Sequence, residues 1–446
     1  MPAVPALHRL RLRRFLATMR GVNYQEPCLI NSRFSSARKS GGAAIWKDPG
    51  MPASPSTARA INDRLALRLL QQDGPLTATQ LKTLTGLSRP TVADLVERLR
   101  GAGLIQVVGE SGAVRRGPNA KLYGIVADRA HLAALDVRLG SVSVVVTDLL
   151  GTVLAEDSLP IGSDTGTEPA VERAAALLER TARAAGSVPL HSVGIGAPGL
   201  IDPGTGELRD SSGLPAWHRG LVRELQRRLP ATVLVENETN LAAVAEHREG
   251  AAHDRETFVL LWLGQGIGAA VMLDGRLRQG ASGGAGEIGF LPVPGVSGLP
   301  SAVNCEGGFH SLAGSGALCE LATAHGLVDR AAVAEGQEEA AAVDAVRAAL
   351  EAGEAGEPFL KEVADRLALG SAAVVSVLDP GCVLLAGAVG HAGGAALAAR
   401  VEERLATMSP LRTEVRAGSL GDGAVLRGAL LTARDAAQDA LFAPEG

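Results

Sequence analysis

Cysteine is scarce in this chain. Its 446 residues hold four, Cys28, Cys305, Cys319 and Cys382, and no two of them stand at a paired spacing. That argues against a disulfide framework and suits a reducing cytoplasm. A long apolar run is missing too: no uninterrupted stretch could span a bilayer, although apolar content is ample for packed cores. Nor is there an excess of positive charge, since 43 Lys and Arg stand against 48 Asp and Glu, a formal net charge of −5. Binding to a polyanion must then rest on a local basic patch. The length exceeds one ordinary domain, so two or three are expected.

Periodicity is what the first fifty residues lack. They carry Arg9, Arg11, Arg13, Arg14, Arg20, Arg33, Arg38, Lys39 and Lys47 against only Glu26 and Asp48. With no recurring apolar face, burial cannot offset the entropy of ordering. Residues 1–55 are therefore expected to be a basic, disordered extension, or an upstream extension of the reading frame ahead of a start at Met51. A transit peptide or a DNA-contacting arm is the alternative.

A regular pattern begins beyond Met51. Ile61, Leu65 and Leu69 share one side of a helix over about 57–72. Thr79 to Val92 then reads as a helix, a Gly86 turn and a second helix, with Leu81, Leu84 and Leu87 as apolar anchors. In the second helix Val92, Leu95, Val96 and Leu99 fall at i, i+3, i+4 and i+7, a single buried stripe. Ser88 is placed to N-cap it, and Pro90 is tolerated in a first turn whose N–H groups lack helical partners. Arg89, Thr91 and Asp94 stay outside, and Gly101 and Gly103 end the helix. Strands at Leu104–Val108 and Lys121–Ile125 flank Arg115-Arg116-Gly117-Pro118. This is a winged helix-turn-helix, expected over residues 56–127, with one helix in a major groove and a basic loop on the backbone. A protein-contact module is the bland alternative. The expected DNA contacts are Ser88, Arg89, Pro90 and Thr91, Thr79 on the preceding helix, and Arg115, Arg116 and Lys121 on the wing.

Past Ala127 strands alternate with helices. Strands at 131–137, 141–147 and 152–158 precede a helix (168–185), a strand (192–197), a helix (217–229), a strand (232–236) and a helix (241–249). The order then restarts. Strands at 257–263 and 267–273, with an Asp274-Gly275 turn into 276–278, precede helices near 315–325, 338–351 and 358–378. A strand (383–386), a helix (395–408), a strand (413–417) and a last helix (424–441) complete the chain. The fold class expected is α/β, with duplicated actin-like, sugar-kinase lobes behind the winged helix-turn-helix. The first lobe would span 128–250, with 423–446 returning to it, and the second 251–422.

Four segments resemble the ROK family of bacterial sugar kinases and sugar-responsive repressors. They are Gly194-Ile195-Gly196-Ala197-Pro198-Gly199-Leu200-Ile201-Asp202, Val235-Glu236-Asn237-Glu238-Thr239-Asn240, Leu263-Gly264-Gln265-Gly266-Ile267-Gly268 and Gly283-Gly284-Ala285-Gly286-Glu287-Ile288-Gly289. With a winged helix-turn-helix in front, the set resembles the repressor branch. Any one Gly-rich turn alone would be weak, and the last segment is the most specific.

Departures from the kinase pattern are informative. Kinases of the family open with Asp-x-Gly-x-Thr, whose glycine lets backbone approach ATP. Here Asp136-Val137-Arg138-Leu139-Gly140 places Arg138 where that glycine belongs. The family's Asn-Asp-x-Asn supplies an aspartate base, whereas this chain has Glu238, whose extra methylene displaces the carboxylate. The family's zinc set is a histidine after Glu-Ile-Gly and three cysteines. Phe290 takes the histidine's place, and only Cys305 and a stray His310 remain in the Asn304–Ser311 run, so no metal is expected. Of the sugar-holding positions the resemblance implies, Asn237, Glu238 and Glu287 persist, while Phe290 and Ser311 replace two others. Glu287 could instead be a structural carboxylate capping backbone N–H groups.

The resemblance implies a cytoplasmic, DNA-binding transcriptional regulator of carbohydrate metabolism, a repressor and a homodimer on an inverted-repeat operator. It implies a small effector such as a sugar, and neither cofactor, nor catalysis, nor membrane. Two rivals stand beside it: a sugar kinase with an attached DNA-binding module, and a regulator whose lobes sense nothing.

Overall fold

The computed structural model describes residues 55–442, apart from 112–119, 163, 187, 210–213, 302–305 and 335. The basic extension, Met51, the wing residues Arg115 and Arg116, and Cys28 and Cys305 lie outside the described residues.

Helix α1 (Pro55–Gln72) is followed by a two-residue strand, β1 (Leu76–Thr77), and by α2 (Ala78–Thr85). Thr77 and Gln80 close a reciprocal capping box: Gln80 N–H donates to the Thr77 hydroxyl, and Thr77 N–H donates to Gln80 Oε1 at 2.9 Å. Gly86, at φ 71°, stops the helix in the left-handed region, where a side chain would be strained. Ser88 then caps α3 (Arg89–Gly101), which buries the expected Val92, Leu95, Val96 and Leu99. Each such side chain contributes roughly 1.5–3 kcal/mol when withdrawn from water. Strands β2 (Ile105–Ser111) and β3 (Ala120–Ile125) form the wing, with β1 on the other edge of β3. Two residues are too few to show alternation, and β1 was not foreseen.

A single turn (Ala127–Arg129) leads into β4 (His131–Arg138), which starts a meander with β5 (Ser141–Asp148) and β6 (Val153–Pro160). Then come α4 (Thr167–Ala184), β7 (Leu190–Ala197), α5 (Ala216–Arg228), β8 (Thr232–Asn237) and α6 (Glu238–Glu249). The strand order is β6-β5-β4-β7-β8, with β7 and β8 running parallel to β4 and β7. Leu177, Leu178, Trp217 and Leu221 of α4 and α5 bury one face.

The second sheet repeats this plan. It begins with β9 (Phe258–Leu263), β10 (Ile267–Leu273) and β11 (Arg276–Arg278). Helices α7 (His310–Ala313), α8 (Ser315–Ala324), α9 (Glu338–Glu351) and α10 (Glu357–Leu378) intervene before β12 (Cys382–Ala386). Helix α11 (Gly387–Met408), β13 (Glu414–Ala417) and α12 (Ala424–Leu441) complete the order β11-β10-β9-β12-β13. Hairpins open both halves because tight turns join their strands, as at Asp274 and Gly275, with φ 54° and 70°.

One helix begins earlier than periodicity suggests. Helix α6 starts at Glu238 instead of Leu241, because Asn237 caps it. Element α11 is two helices joined at a kink, where Gly394 stands at non-helical φ 52°, ψ −152°, and the expected helix from Ala395 is the second of them. Helix α12 packs on β4, β7 and α6, and α6 also packs on β9 and β10, so both lie between the sheets. Contact with α6 is at backbone distance: a Cβ on Gly428 would run into the Leu241 carbonyl. No helix among the described residues is long and apolar enough to cross a membrane.

Candidate functional site

Helix α3 presents Arg89 and Pro90 exposed at its start, with Thr91 half-buried beside them. Ser88 is engaged as a cap, accepting from Thr91 N–H at 3.3 Å, and its hydroxyl lies 2.8 Å from that of Thr91. Thr79 on α2 and Lys121 on β3 are exposed, and so is Lys82, which sequence reasoning passed over. Further along α3, Arg98 turns inward. It pairs with Asp63 of α1 at 2.7 Å and with Asp94, fixing the angle of α3 against α1. No periodicity reveals that pair, because its partners lie 35 residues apart.

The second group of residues lies where parallel strands end. Asp136 of β4 is in register with Gly196 of β7, and Ala197 with Asn237 of β8. The carboxyl ends of neighbouring strands in such sheets make a crevice suited to ligands. Asn237 was expected to hold a ligand, but its amide is fully occupied. Its Oδ1 accepts from Thr239 N–H (2.9 Å) and Asn240 N–H (3.3 Å), while its Nδ2 donates to the Gly199 carbonyl (3.1 Å) and Glu238 Oε2 (2.8 Å). Asn237 therefore positions Glu238. The Glu238 carboxyl is pushed up to about 8, mainly by burial and further by the charges of Asp136 and Glu287.

Glu287 reaches this place on a Gly-rich loop. Gly283 stands at φ 80°, and a Cβ there would strike the carbonyl of Ile201 in the first-lobe segment. The glycine is what allows the two lobes to touch. Gln279 Nε2 adds a 2.5 Å hydrogen bond to Glu236 across the same boundary. Glu287 makes no side-chain cap, so the structural role weighed for it has no bonds to support it. Its side chain stays exposed, yet the protein atoms crowded around it raise its carboxyl above the usual range. Phe290 is partly exposed and Ser311 exposed, whereas His310, at the start of α7, lies beside Gly289. Burial pushes the His310 imidazole down, toward its neutral form.

Both phosphate-type turns are occupied from within. At the first, Arg138 Nε donates to buried Asp136 at 2.8 Å, and Nη2 donates to the Asp422 carbonyl at 3.2 Å. Burial still raises the Asp136 carboxyl, with Arg138 opposing it. At the second, Leu263–Gly268, the glycines survive, but the Glu339 carboxyl of α9 lies over the turn, 3.6 Å from where a Cβ on Gly264 would stand and near the Gln265 backbone N–H. That N–H belongs to the turn that would otherwise cradle a phosphate. Nothing near residue 265 in the sequence points to residue 339.

Among the described residues no group of three or more His, Cys, Asp or Glu could hold a metal ion. Two surface depressions of about 510 and 450 Å³ lie along α11 and β13, around Glu402, and none of the site residues lines them.

Comparison with known proteins agrees with this geometry. Residues 133–436 match the model of the ROK family, and residues 59–106 match one described as winged helix-turn-helix DNA-binding. The chain is 29% identical over 242 residues to the DNA-binding transcriptional dual regulator NagC of Escherichia coli, a match covering 53% of this chain and 58% of that protein. It therefore spans less than two thirds of that relative's length. A crystal structure of a ROK family transcriptional regulator, a homologue of the E. coli MLC protein, superposes with a TM-score of 0.69 over 86% of this chain and 98% of its own, at 22% identity. The ROK hexokinase from Thermus thermophilus is 28% identical, with a TM-score of 0.56 over 69% of this chain and 99% of its own.

Proposed function

This chain belongs to the ROK family, and from that premise we propose that it is a transcriptional regulator without kinase activity. In this reading it represses genes of carbohydrate metabolism as a homodimer on an inverted-repeat operator, answering to a small polyhydroxylated effector. The observation that carries the reading is a contrast: the recognition helix is capped and open, while both phosphate turns are filled by Arg138 and Glu339. Asn237, Glu238 and Glu287 form the effector site in this proposal, Asn237 by positioning. Arg89, Pro90, Thr91 and Thr79 meet base edges and nearby backbone, and Lys121 meets phosphate with Arg115 and Arg116.

A route of contacts supports coupling between the two sites. Glu238 opens α6, α6 meets α12 at backbone distance, and Asp439 of α12 pairs with Arg64 of α1 at 3.6 Å. The neighbouring Asp63 holds Arg98 on the recognition helix. An effector that prefers one lobe arrangement would shift α3 along this route.

Footprinting the purified full chain on DNA from its own genome is the deciding experiment, with a sugar panel added to release it. Arg89→Ala should relax base preference and cost about 1–3 kcal/mol, whereas Lys121→Ala should weaken all sequences alike and flatten the salt slope by about one. Protection of no segment, or sugar phosphorylation with ATP turnover, would overturn the reading.

A further inference from the structure

Charge around the cleft is unbalanced. Asp136, Glu238 and Glu287 meet at the ends of β4 and β8 and on the Gly283–Gly286 loop, and Glu339 stands at the opposite turn. The loop and α6 adjoin the same strand: a Cβ on Gly286 would strike the Ala269 carbonyl, and one on Gly268 would lie 3.5 Å from the Thr239 hydroxyl. Arg138 is the cation that acts on Glu238, and it is already engaged by Asp136 and the Asp422 carbonyl. Meanwhile acceptors remain open. Asp136 is 3% exposed, yet its Oδ1 has no hydrogen-bond partner. Glu238 receives Asn237 on Oε2 alone, and the Glu287 carboxylate caps nothing. Of these, Asp136 Oδ1 is the buried acceptor without a donor, and a bound donor would recover the free energy that costs.

We propose that this cleft takes a polyol bearing a protonated amine, an amino sugar in chemical class, and turns away the same polyol once it is phosphorylated. The proposal rests on the regulator reading above and names its effector. An ammonium group brings three donors to the oxygens left open and adds its positive charge to that of Arg138. Ring hydroxyls, which both donate and accept, suit the remaining carboxyl oxygens. A phosphate would enter against several carboxyl groups and would have to displace Asp136 from Arg138. N-acylation removes the charge, so acylated forms should bind like the parent hexose.

Calorimetry on the full-length protein at neutral pH tests this with glucosamine, galactosamine and mannosamine. Their N-acetyl forms, parent hexoses and hexose 6-phosphates complete the panel. At least one amine should bind about tenfold tighter than its parent and its N-acetyl form, with the 6-phosphate weakest. Added salt should shrink that advantage. Glu287→Gln, at an exposed position, should narrow it without lowering the melting temperature. Tighter or equal binding of a 6-phosphate or N-acetyl sugar overturns the inference and leaves the regulator reading intact. So does an amine advantage that survives both Glu287→Gln and Glu238→Gln. If no member of the panel binds and none releases operator DNA, effector sensing falls together with it.

Discussion

The two turns that face the cleft have lost room for a phosphate by different routes. In the first, a residue of the turn itself has changed: Arg138 occupies the place and holds Asp136. In the second, the turn keeps Gly264, Gly266 and Gly268, and a carboxyl from α9 lies over it. A loss by substitution is local, so the sequence displays it. A loss by filling depends on which distant helix the fold lays over the turn. Conserving the chemistry of a motif therefore does not conserve its use, and glycines can outlast the ligand that required them.

Substitutions at the glycines give the largest effect and the sharpest contrast. Gly283 is needed for both its φ and its approach to Ile201. Gly283→Ala should cost about 3–5 kcal/mol, the sum of a strained backbone and a displaced contact, measured by urea unfolding. A cost below about 1 kcal/mol would mean the lobes do not touch there.

Between the two turns lies Glu238, whose folded form holds its proton more tightly than the unfolded chain does, near 8 against 4.5. Its contribution is fully present below the unfolded value and is lost as pH rises toward 8. Glu238→Gln should thus match the wild type near pH 4 and exceed it at pH 8 by on the order of 3 kcal/mol. Unfolding midpoints at the two pH values settle the sign, and a gap that does not change with pH refutes the assignment.

Restoring the first turn should not be enough to admit a nucleotide. Arg138→Gly leaves Glu339 over the second turn, and Glu339→Ala leaves Arg138 in place. The double variant should bind ATP about tenfold better than either single one by calorimetry. If Arg138→Gly alone matches the double variant, the second turn was never filled.

The smallest effect is expected at the second turn itself. A Cβ on Gly266 meets nothing within 4 Å, so Gly266→Ala should change stability by no more than about 0.5 kcal/mol. A larger loss would show that this glycine still serves the turn.

Most of the architecture was legible in the chain. The stripe on α3, the Ser88 cap and the strands that open each half depend on neighbours a few residues apart, which is the range periodicity and capping report. The start of α6 was missed because Asn237 was read as a ligand group, when its side chain does the work of a cap. The expected helix from Ala395 is the part of α11 beyond the kink at Gly394, and the stretch from Gly387 before it was not foreseen. Of the site, the sequence located Asp136, Arg138, Glu238 and Glu287, and its reading of His310 as a stray missed that the residue adjoins Gly289.

By itself, then, the sequence determined the module order, the duplicated hairpin plan, the capped helix that the proposal takes to read DNA, and the substitution at the first turn. Each rests on side chains that interact within one or two turns of chain, or on a motif whose residues are contiguous. Only the tertiary structure decided that Asn237 is occupied, that Glu339 closes the second turn, and that Arg98, Asp63, Arg64 and Asp439 link α3 to α12. These are hydrogen bonds and ion pairs between residues tens to hundreds of positions apart. Their existence depends on how elements pack, and no local pattern encodes the free capacity of a donor or acceptor.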